Sequence, residues 1–401
     1  MKIDFTNIFK SEAVSREEFK NSGEKIPEFL TKIGNRRQGF YQIFDDADFL
    51  VEVAEIKKFA GFCAGKYDDI VVCGTGGSAL GILAIQESLI SKFSRKKPKL
   101  HVLENIDDEV ISELTEYLDF SRTLFIIISK SGGTIETISQ YEYFRGILTE
   151  KNLELKNHLV FITGKVGLLR EESAKSDIPT FSVPENIGGR FSVLTAVGLL
   201  PAALIGVNID ELLAGGRDFA KKFQNENLAE NLSFQLASAQ FLSKKPQNVL
   251  MPYSAKMKKF GNWWAQLLAE STGKDGKGIT PIPAQGVTDQ HSQLQLFVDG
   301  PADKLVIFIE ISPFDKTQDK RDSVFKKLMQ AELHGTIQSL TEKNRPNLTI
   351  QIEEISANSL GELFVLFMGA TAFLGEFMEI NAFDQPGVER SKVLAKELLG
   401  K

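Results

Sequence analysis

Short apolar runs rich in β-branched side chains alternate along this chain with longer segments of helical periodicity. This alternation is typical of βαβ units, in which helices bury both faces of a parallel sheet. The predicted strands cover residues 70–73, 100–103, 124–128, 159–163, 180–183, 248–252, 278–283, 305–311 and 348–352. The pattern therefore predicts an α/β fold with parallel sheets.

A long helical stretch, residues 192–242, separates five of these strands from the other four. The 401 residues are enough for two domains of ordinary size. We predict an N-terminal domain over 1–205, with a helical extension before its first strand, and a C-terminal domain over 206–401 that ends in helices. No low-complexity linker separates them, so we expect the domains to pack closely and to form a cleft.

Composition excludes several classes of partner. The formal net charge is -6 without a long basic block, which disfavours nucleic acid and anionic membranes as partners.

Two cysteines, Cys63 and Cys73, lie among apolar neighbours, as expected of reduced packing residues in a cytoplasmic protein. The first residues lack the pattern of a signal peptide. The apolar run 193–207 is too short to span a membrane and predicts a buried helix.

Two predicted strands run into glycine-rich turns. The carboxyl ends of parallel strands face the ligand crevice, and a following helix N-terminus favours an anion. The first turn, in IVVCGTGGSALG, has Ala79 where a GxGxxG dinucleotide motif needs glycine, so Gly77 and Ser78 fit a smaller anion better.

The second turn, in FIIISKSGGTIETIS, places Ser129, Ser131 and Thr134 within six residues, around Lys130 and two glycines. Thr134 alone could simply cap the next helix. Three hydroxyls in one glycine-rich turn instead fit the three peripheral oxygens of a phosphomonoester.

Two later segments carry groups suited to proton transfer. In KKFGNWWAQLLAESTGK, Glu270 lies at the border of an apolar helical stripe, one turn before a predicted helix end at Gly273, and Gln266 lies on the same edge one turn earlier. A glutamate there is usually a solvated residue, but a partly desolvated one is a candidate base. In GGRFS, the glycines before Arg190, including Gly189, let its guanidinium approach a ligand and stabilise developing negative charge.

The motifs GTGGSALG, SKSGGTIET, ENIGGRFSVLTAVG, LLAESTGK and FDQPGVERSK, found between residues 74 and 392, together resemble the glucose-6-phosphate isomerase family in its shorter bacterial form. The resemblance implies two flavodoxin-like sugar isomerase domains and a homodimer with active sites at the subunit interface. It also implies reversible isomerisation of D-glucose 6-phosphate and D-fructose 6-phosphate through a cis-enediol, in glycolysis and gluconeogenesis. No cofactor is implied, and the absence of HxH and HxxxH spacings argues against a metal site.

The resemblance also assigns roles to single residues. Glu270 matches the family's base, Arg190 the group that stabilises the intermediate, and His291 a ring-opening histidine that reaches the partner subunit's active site. Lys392 matches a lysine of the family that takes part in ring opening together with the histidine. The residues implied in substrate binding are Gly77, Ser78, Ser129, Lys130, Ser131, Thr134, Gly189, Gln266 and Gln385.

Two alternatives stay open at this point: an enzyme that also isomerises mannose 6-phosphate, and a sugar-phosphate-binding protein without turnover. One departure from the family is the turn SKSGGT, which replaces the SKTFTT type of longer members. Serine at position 131 keeps the hydroxyl, so we expect phosphate binding to survive even where the backbone of the turn differs from that of the longer members.

Overall fold

Ten strands form two five-stranded sheets in the computed structural model, which describes residues 1–312 and 320–399. The strands are β1 Lys2–Asp4, β2 Asp69–Cys73, β3 Lys99–Leu103, β4 Thr123–Ser129, β5 Leu159–Thr163, β6 Thr180–Ser182, β7 Gln247–Pro252, β8 Thr280–Pro283, β9 Lys304–Ile311 and β10 Asn347–Ile352. All nine predicted strands are confirmed, each within two residues at either end.

The α-helices surround the two sheets. They are α1 Thr6–Lys10, α2 Arg16–Ser22, α3 Ile26–Asn35, α4 Ala47–Cys63, α5 Leu80–Leu89, α6 Asp108–Tyr117, α7 Ile135–Glu150, α8 Leu155–His158, α9 Leu168–Ser176, α10 Ala196–Leu204, α11 Ile209–Phe223, α12 Leu232–Leu242, α13 Lys258–Thr272, α14 Leu294–Asp299, α15 Lys320–Glu342, α16 Ala357–Phe377 and α17 Glu389–Leu398. The helical stretch predicted over 192–242 thus consists of α10, α11 and α12.

The first sheet has the strand order β3-β2-β4-β5-β6, and all of its strands are parallel. This is the flavodoxin-like order, whose switch point lies between the two central strands, β2 and β4. Since the order reverses there, the turns that follow these strands lie side by side at the carboxyl edge of the sheet. The two glycine-rich turns of the sequence are these two turns.

The second sheet has the order β1-β10-β9-β7-β8 and is parallel except for β1, which pairs antiparallel with β10. Sequence analysis missed β1, which is only three residues long. Its pairing places the start of the chain with the sheet of the second half. The division into domains at residue 205 stays a prediction.

Alternate residues of the strands enter different hydrophobic cores, as a sheet covered on both faces requires. In β4, Ile126 and Ile128 belong to a core that extends across both sheets, whereas Phe125 and Ile127 pack against the α7 side. The shared core contains the fully buried residues of α10, which confirms the helix predicted within the apolar run 193–207. The structure therefore has the layered α/β architecture predicted from the sequence.

Helix α16 is the central helix of the shared core. It is long and apolar enough to cross a membrane, but 94% of its most apolar window is buried inside the protein.

Both cysteines are buried and unpaired, as predicted. Burial raises the pKa of Cys63 to about 11 and raises the pKa of Cys73 as well.

Candidate active site

The hydroxyls of the second turn converge at the carboxyl end of β4. Ser129 Oγ lies 2.9 Å from Thr134 Oγ1, and Ser131 Oγ lies 3.4 Å from both of these oxygens. The backbone N–H of Thr134 also donates to Ser129 Oγ at 3.4 Å. Gly132 permits this tight turn with φ of +67°. The three hydroxyl side chains of this turn thus form one cluster at the start of α7, and their binding of phosphate stays a prediction.

Thr134 stands at the N-cap position of α7, but its side chain makes no capping hydrogen bond. Its hydroxyl faces Ser129 and Ser131 instead. Thr134 therefore does not act as a simple helix cap. Its hydroxyl oxygen belongs to the hydroxyl cluster.

Lys130 points away from these hydroxyls and holds a neighbouring loop. Its ammonium group donates to the carbonyls of Glu185 at 2.9 Å and Ile187 at 2.8 Å. Burial lowers its pKa from the ordinary value of a lysine. Since these carbonyls come just before Gly188, Lys130 ties the hydroxyl turn to the loop that carries Arg190.

The first glycine-rich turn packs directly against the same loop. A Cβ atom on Gly77 would lie 2.3 Å from the carbonyl of Gly189 and 2.7 Å from the backbone nitrogen of Arg190, so only glycine fits there. At Gly76, with φ of +54°, a Cβ atom would lie 2.8 Å from Gln266 Nε2. Ser78 ends the 3-10 turn that follows β2. Close backbone packing thus joins the first turn, the Arg190 loop and α13.

Arg190 is the most tightly held side chain of the site, and 2% of it is exposed. Its guanidinium donates to Ser271 Oγ at 2.7 Å, to Gln385 Oε1 at 3.0 Å and to the carbonyls of Ala382 and Asp384 at 2.7 and 3.0 Å. Burial lowers its pKa, while nearby Glu270 and Asp384 oppose that shift. The cation is therefore fixed in orientation before any ligand binds.

Glu270 faces this cation from the last turn of α13. Its Oε1 lies 3.5 Å from Arg190 Nη1, and its Oε2 accepts a hydrogen bond of 3.1 Å from Gln266 Nε2. The side chain is 25% exposed, which matches the border position predicted from the helical stripe. Helix α13 ends at Thr272, with Gly273 as its C-cap, as predicted.

Gln266 leaves one atom unpaired. Its Oε1 is buried and has no hydrogen-bond partner among the residues that the structure describes. A buried acceptor without a partner is costly unless a ligand or water satisfies it. Gln266 is therefore oriented by Glu270 through its amide nitrogen, while its side-chain oxygen has no protein partner in the described part of the chain.

Sequence analysis missed Lys274, which also belongs to this site. Its ammonium group donates to the carbonyls of Ser271 and Glu270 at 2.8 and 3.3 Å and lies 3.4 Å from Asp384 Oδ1. Burial, followed by the charge of Arg190, lowers its pKa. A lysine just after a helix end, where it can bind the last carbonyls, was the available signal.

A cavity of about 520 Å³ opens beside these groups, which is in the range of ligand sites. Its lining residues are Gln266, Ala269, Glu270, Gly273, Lys274, Gln385, Pro386, Gly387 and Val388. Gln385 thus connects the cavity with Arg190, and its role in substrate binding stays a prediction.

The structure does not bring His291 and Lys392 to this cluster. His291 is exposed and ends a short 3-10 turn, Thr288–His291. Lys392 lies on α17 with its side chain 59% exposed and pairs with Glu389 at 2.8 Å. Within residues 1–312 and 320–399, no hydrogen bond or ion pair joins either residue to Glu270 or Arg190. Their predicted roles stay predictions.

The layered fold with parallel sheets is that of solved phosphosugar isomerases. A solved glucose-6-phosphate isomerase of Chlamydia trachomatis superposes with a TM-score of 0.83 at 23% identity, covering 95% of this chain and 85% of that one. At this identity the match shows the fold.

The particular family follows from the sequence comparisons. The family model described as Phosphoglucose isomerase matches residues 43–302 and 312–401. The glucose-6-phosphate isomerase of Carboxydothermus hydrogenoformans is 38% identical, covering 100% of this chain and 95% of the relative. That of Methanocaldococcus jannaschii is 33% identical, with coverage of 100% and 99%. The chain belongs to the phosphoglucose isomerase family.

Proposed function

We propose that this protein catalyses the reversible isomerisation of D-glucose 6-phosphate and D-fructose 6-phosphate through a cis-enediol intermediate, as an enzyme of glycolysis and gluconeogenesis. Family membership supports the reaction. The observation that carries the proposal is the fixed Arg190 guanidinium, 3.5 Å from the Glu270 carboxylate at the edge of a cavity. A base beside a preorganised cation is what proton transfer next to a carbonyl group needs.

The proton transfer uses Glu270 twice. Its carboxylate takes the proton from C2 of the open-chain aldose, and the electrons of that C–H bond form the C1–C2 double bond. Negative charge then develops on the sugar oxygens, where Arg190 stabilises it at no cost of reorientation. Glu270 then returns the proton to C1, while the hydroxyl proton of O2 passes to O1 and the C2=O double bond forms, which gives the ketose. The free acceptor of Gln266 positions a sugar hydroxyl during both steps.

The phosphate group anchors the other end of the substrate. The hydroxyls of Ser129, Ser131 and Thr134, with Ser78 on the adjacent turn, bind its oxygens without an arginine. Lys130 supports substrate binding indirectly, because its ammonium group already donates to the carbonyls of Glu185 and Ile187 in the loop that carries Arg190. Gly77 and Gly189 allow the two turns to meet, and Gln385 orients Arg190 beside the sugar.

We propose that ring opening of the substrate requires a second copy of the chain. His291 and Lys392 are both exposed and outside the cluster, and we assign His291 to the active site of the partner subunit in a homodimer. Exposed apolar side chains on and beside α17, which carries Lys392, support an interface there. These are Val388, Val393, Leu394, Leu398 and Leu399. We place this dimer in the cytoplasm. The proposed reaction uses neither a metal nor an organic cofactor.

The test is an assay of the purified protein with fructose 6-phosphate, in which the glucose 6-phosphate formed is oxidised by a linking enzyme. The parent protein should turn over, and Glu270→Gln should lower kcat by about 10²–10⁴-fold. Glu113→Gln, an exposed glutamate on α6, is the matched control and should keep full activity. A parent without turnover would overturn the isomerase function; near-full activity of Glu270→Gln would overturn the assignment of the base.

The same assay with mannose 6-phosphate tests the broader substrate range. The Glu270–Arg190 pair disfavours the alternative of a sugar-phosphate-binding protein without turnover, because pure binding does not need a desolvated carboxylate beside a cation.

A further inference from the structure

A second cavity lies at the edge of the second sheet opposite to the carboxyl ends of its strands. It has a volume of about 570 Å³, within the range of small-molecule sites. Residues 244–246 enter it just before β7, and residues 277–279 just before β8. The ends of α12 and α16 complete the walls. We call it the lysine cavity, after Lys244, Lys245 and Lys277.

The walls of the lysine cavity are largely apolar. The rings of Phe241 and Phe377 stack at 5.0 Å with an angle of 19° between their planes. Leu242, Ile279 and Met378 continue this surface. Apolar walls of this kind bury the body of a ligand, and a few polar groups then fix its orientation.

The charged groups of the cavity are mostly cationic. Three lysines line it, and Glu379 is the one acidic residue among its lining side chains, all of which lie in the described part of the chain. Lys245 donates to the carbonyl of Ala302 at 2.7 Å and Lys277 to that of Met378 at 2.8 Å. Lys244 is exposed. Each ammonium group has three donors, so all three lysines have donors left for an anion.

Two structural connections lead from this cavity to the active site. Lys277 holds the carbonyl of Met378, at the start of the segment whose Ala382 and Asp384 carbonyls accept hydrogen bonds from Arg190. The residues Lys274 and Lys277 also form a β-bridge, so one hairpin contributes a lysine to each cavity. An anion that binds the remaining donors of Lys277 therefore acts on the side chain that holds this segment.

We propose that the lysine cavity is a second ligand site, which binds an organic anion with a flat apolar body and lowers the rate at the active site. The stacked rings and aliphatic side chains take the apolar body, and the lysines take a carboxylate, sulfonate or phosphate group. This site is separate from the substrate site and does not depend on the reaction that the active site catalyses.

The first test is a fluorescence titration of the full chain with 8-anilinonaphthalene-1-sulfonate, a flat apolar anion that fluoresces in apolar surroundings. Saturating fructose 6-phosphate keeps the active site occupied. We expect saturable binding of one probe per chain. Lys244→Glu should weaken it by about five- to tenfold, as reversal of an exposed charge implies. Lys58→Glu, an exposed lysine on α4, is the control and should leave it unchanged.

Leu242→Trp is an independent variant that fills the cavity and keeps every charge. It should abolish saturable binding, whereas circular dichroism should match that of the parent. Probe binding that is not saturable, or that is equal in the parent, Lys244→Glu and Leu242→Trp, would overturn the site.

The second test measures initial rates at saturating substrate while the probe is added. The parent rate should fall with half-effect at the dissociation constant of the probe, and Leu242→Trp should not respond. A parent rate that is unchanged at full occupancy would overturn the coupling. Because the titration needs no turnover, an inactive parent would contradict the proposed function and leave the binding test intact.

Discussion

The interior and the surface of the proposed active site are built in different ways. In the interior part, Arg190 and Lys274 have side chains 2% and 8% exposed, and each is bonded to several fixed acceptors. In the surface part, Lys392 is 59% exposed and pairs with a neighbour on its own helix, and His291 is exposed on a short turn. One chain thus fixes the groups proposed for proton transfer, whereas the groups proposed for ring opening are not joined to them within the described part of the chain.

Arg190→Lys tests the interior part and should have the largest effect. Lysine cannot reach the four acceptors that the guanidinium binds, and it leaves buried carbonyls unpaired. We expect kcat to fall by about 10²–10³-fold. The free energy of unfolding should fall by about 3 kcal/mol in urea titrations, as for other broken buried ion pairs.

Arg122→Lys is the control for this change, because it keeps a charge beside Asp68 at an exposed position. Its free energy of unfolding should stay within about 0.5 kcal/mol of the parent, and its kcat should not change. If Arg190→Lys behaved like this control, Arg190 would be neither a fixed cation nor a structural anchor.

His291→Ala tests the surface part. We expect kcat on equilibrated, mostly cyclic substrate to fall by about 10²-fold, because a general acid–base group is lost. The free energy of unfolding should change by less than about 0.5 kcal/mol, since the side chain is exposed. His334→Ala should keep full activity. A large loss of stability in His291→Ala would remove the contrast between the two parts.

Gly77→Ala tests the contact between the two turns. The added methyl group would overlap the carbonyl of Gly189, so the turns must separate and Arg190 must shift. We expect a loss of about 2 kcal/mol in the free energy of unfolding, together with a lower kcat/KM.

The matched control is Gly146→Ala within α7, where an added Cβ atom would meet nothing within 4 Å. It should raise the free energy of unfolding by about 0.5–1 kcal/mol, because alanine favours the helix. Equal effects of the two substitutions would show that the turns do not need their close contact.

Lys274→Met tests a smaller effect, the pH dependence of stability. The pKa of Lys274 is lowered in the folded protein, mainly by burial, so the unfolded chain holds this proton to higher pH. The free energy of unfolding should therefore rise with pH between the lowered pKa and 10.5, and Lys274→Met should remove that rise. The control Lys392→Met, which replaces an exposed lysine, should show the same rise with pH as the parent. Unfolding measured between pH 8 and about 10.5 distinguishes these outcomes.

The strands and the hydroxyl turn could be predicted because their signals are local. Apolar periodicity identified β4, and three hydroxyls in six residues identified the turn after it. The partners of Arg190 could not be predicted, since Ser271, Ala382 and Gln385 lie 81 to 195 residues away in the chain. Strand β1 was missed for the same reason: its pairing with β10 depends on residues at the far end of the sequence. Long-range packing decides such contacts, and one sequence carries no direct signal of them.

Mixing of two inactive variants tests most directly whether each active site needs two chains. Glu270→Gln and His291→Ala are purified separately, unfolded together, refolded as a mixture and assayed with fructose 6-phosphate. In a mixed dimer, one site has an intact Glu270 from one chain and an intact His291 from the other. We expect recovery of up to about one quarter of the parent activity, because random pairing makes half of the dimers mixed and leaves one site intact in each of these. A refolded mixture no more active than the separately refolded variants would show that both residues serve the site of their own chain, which would contradict the account.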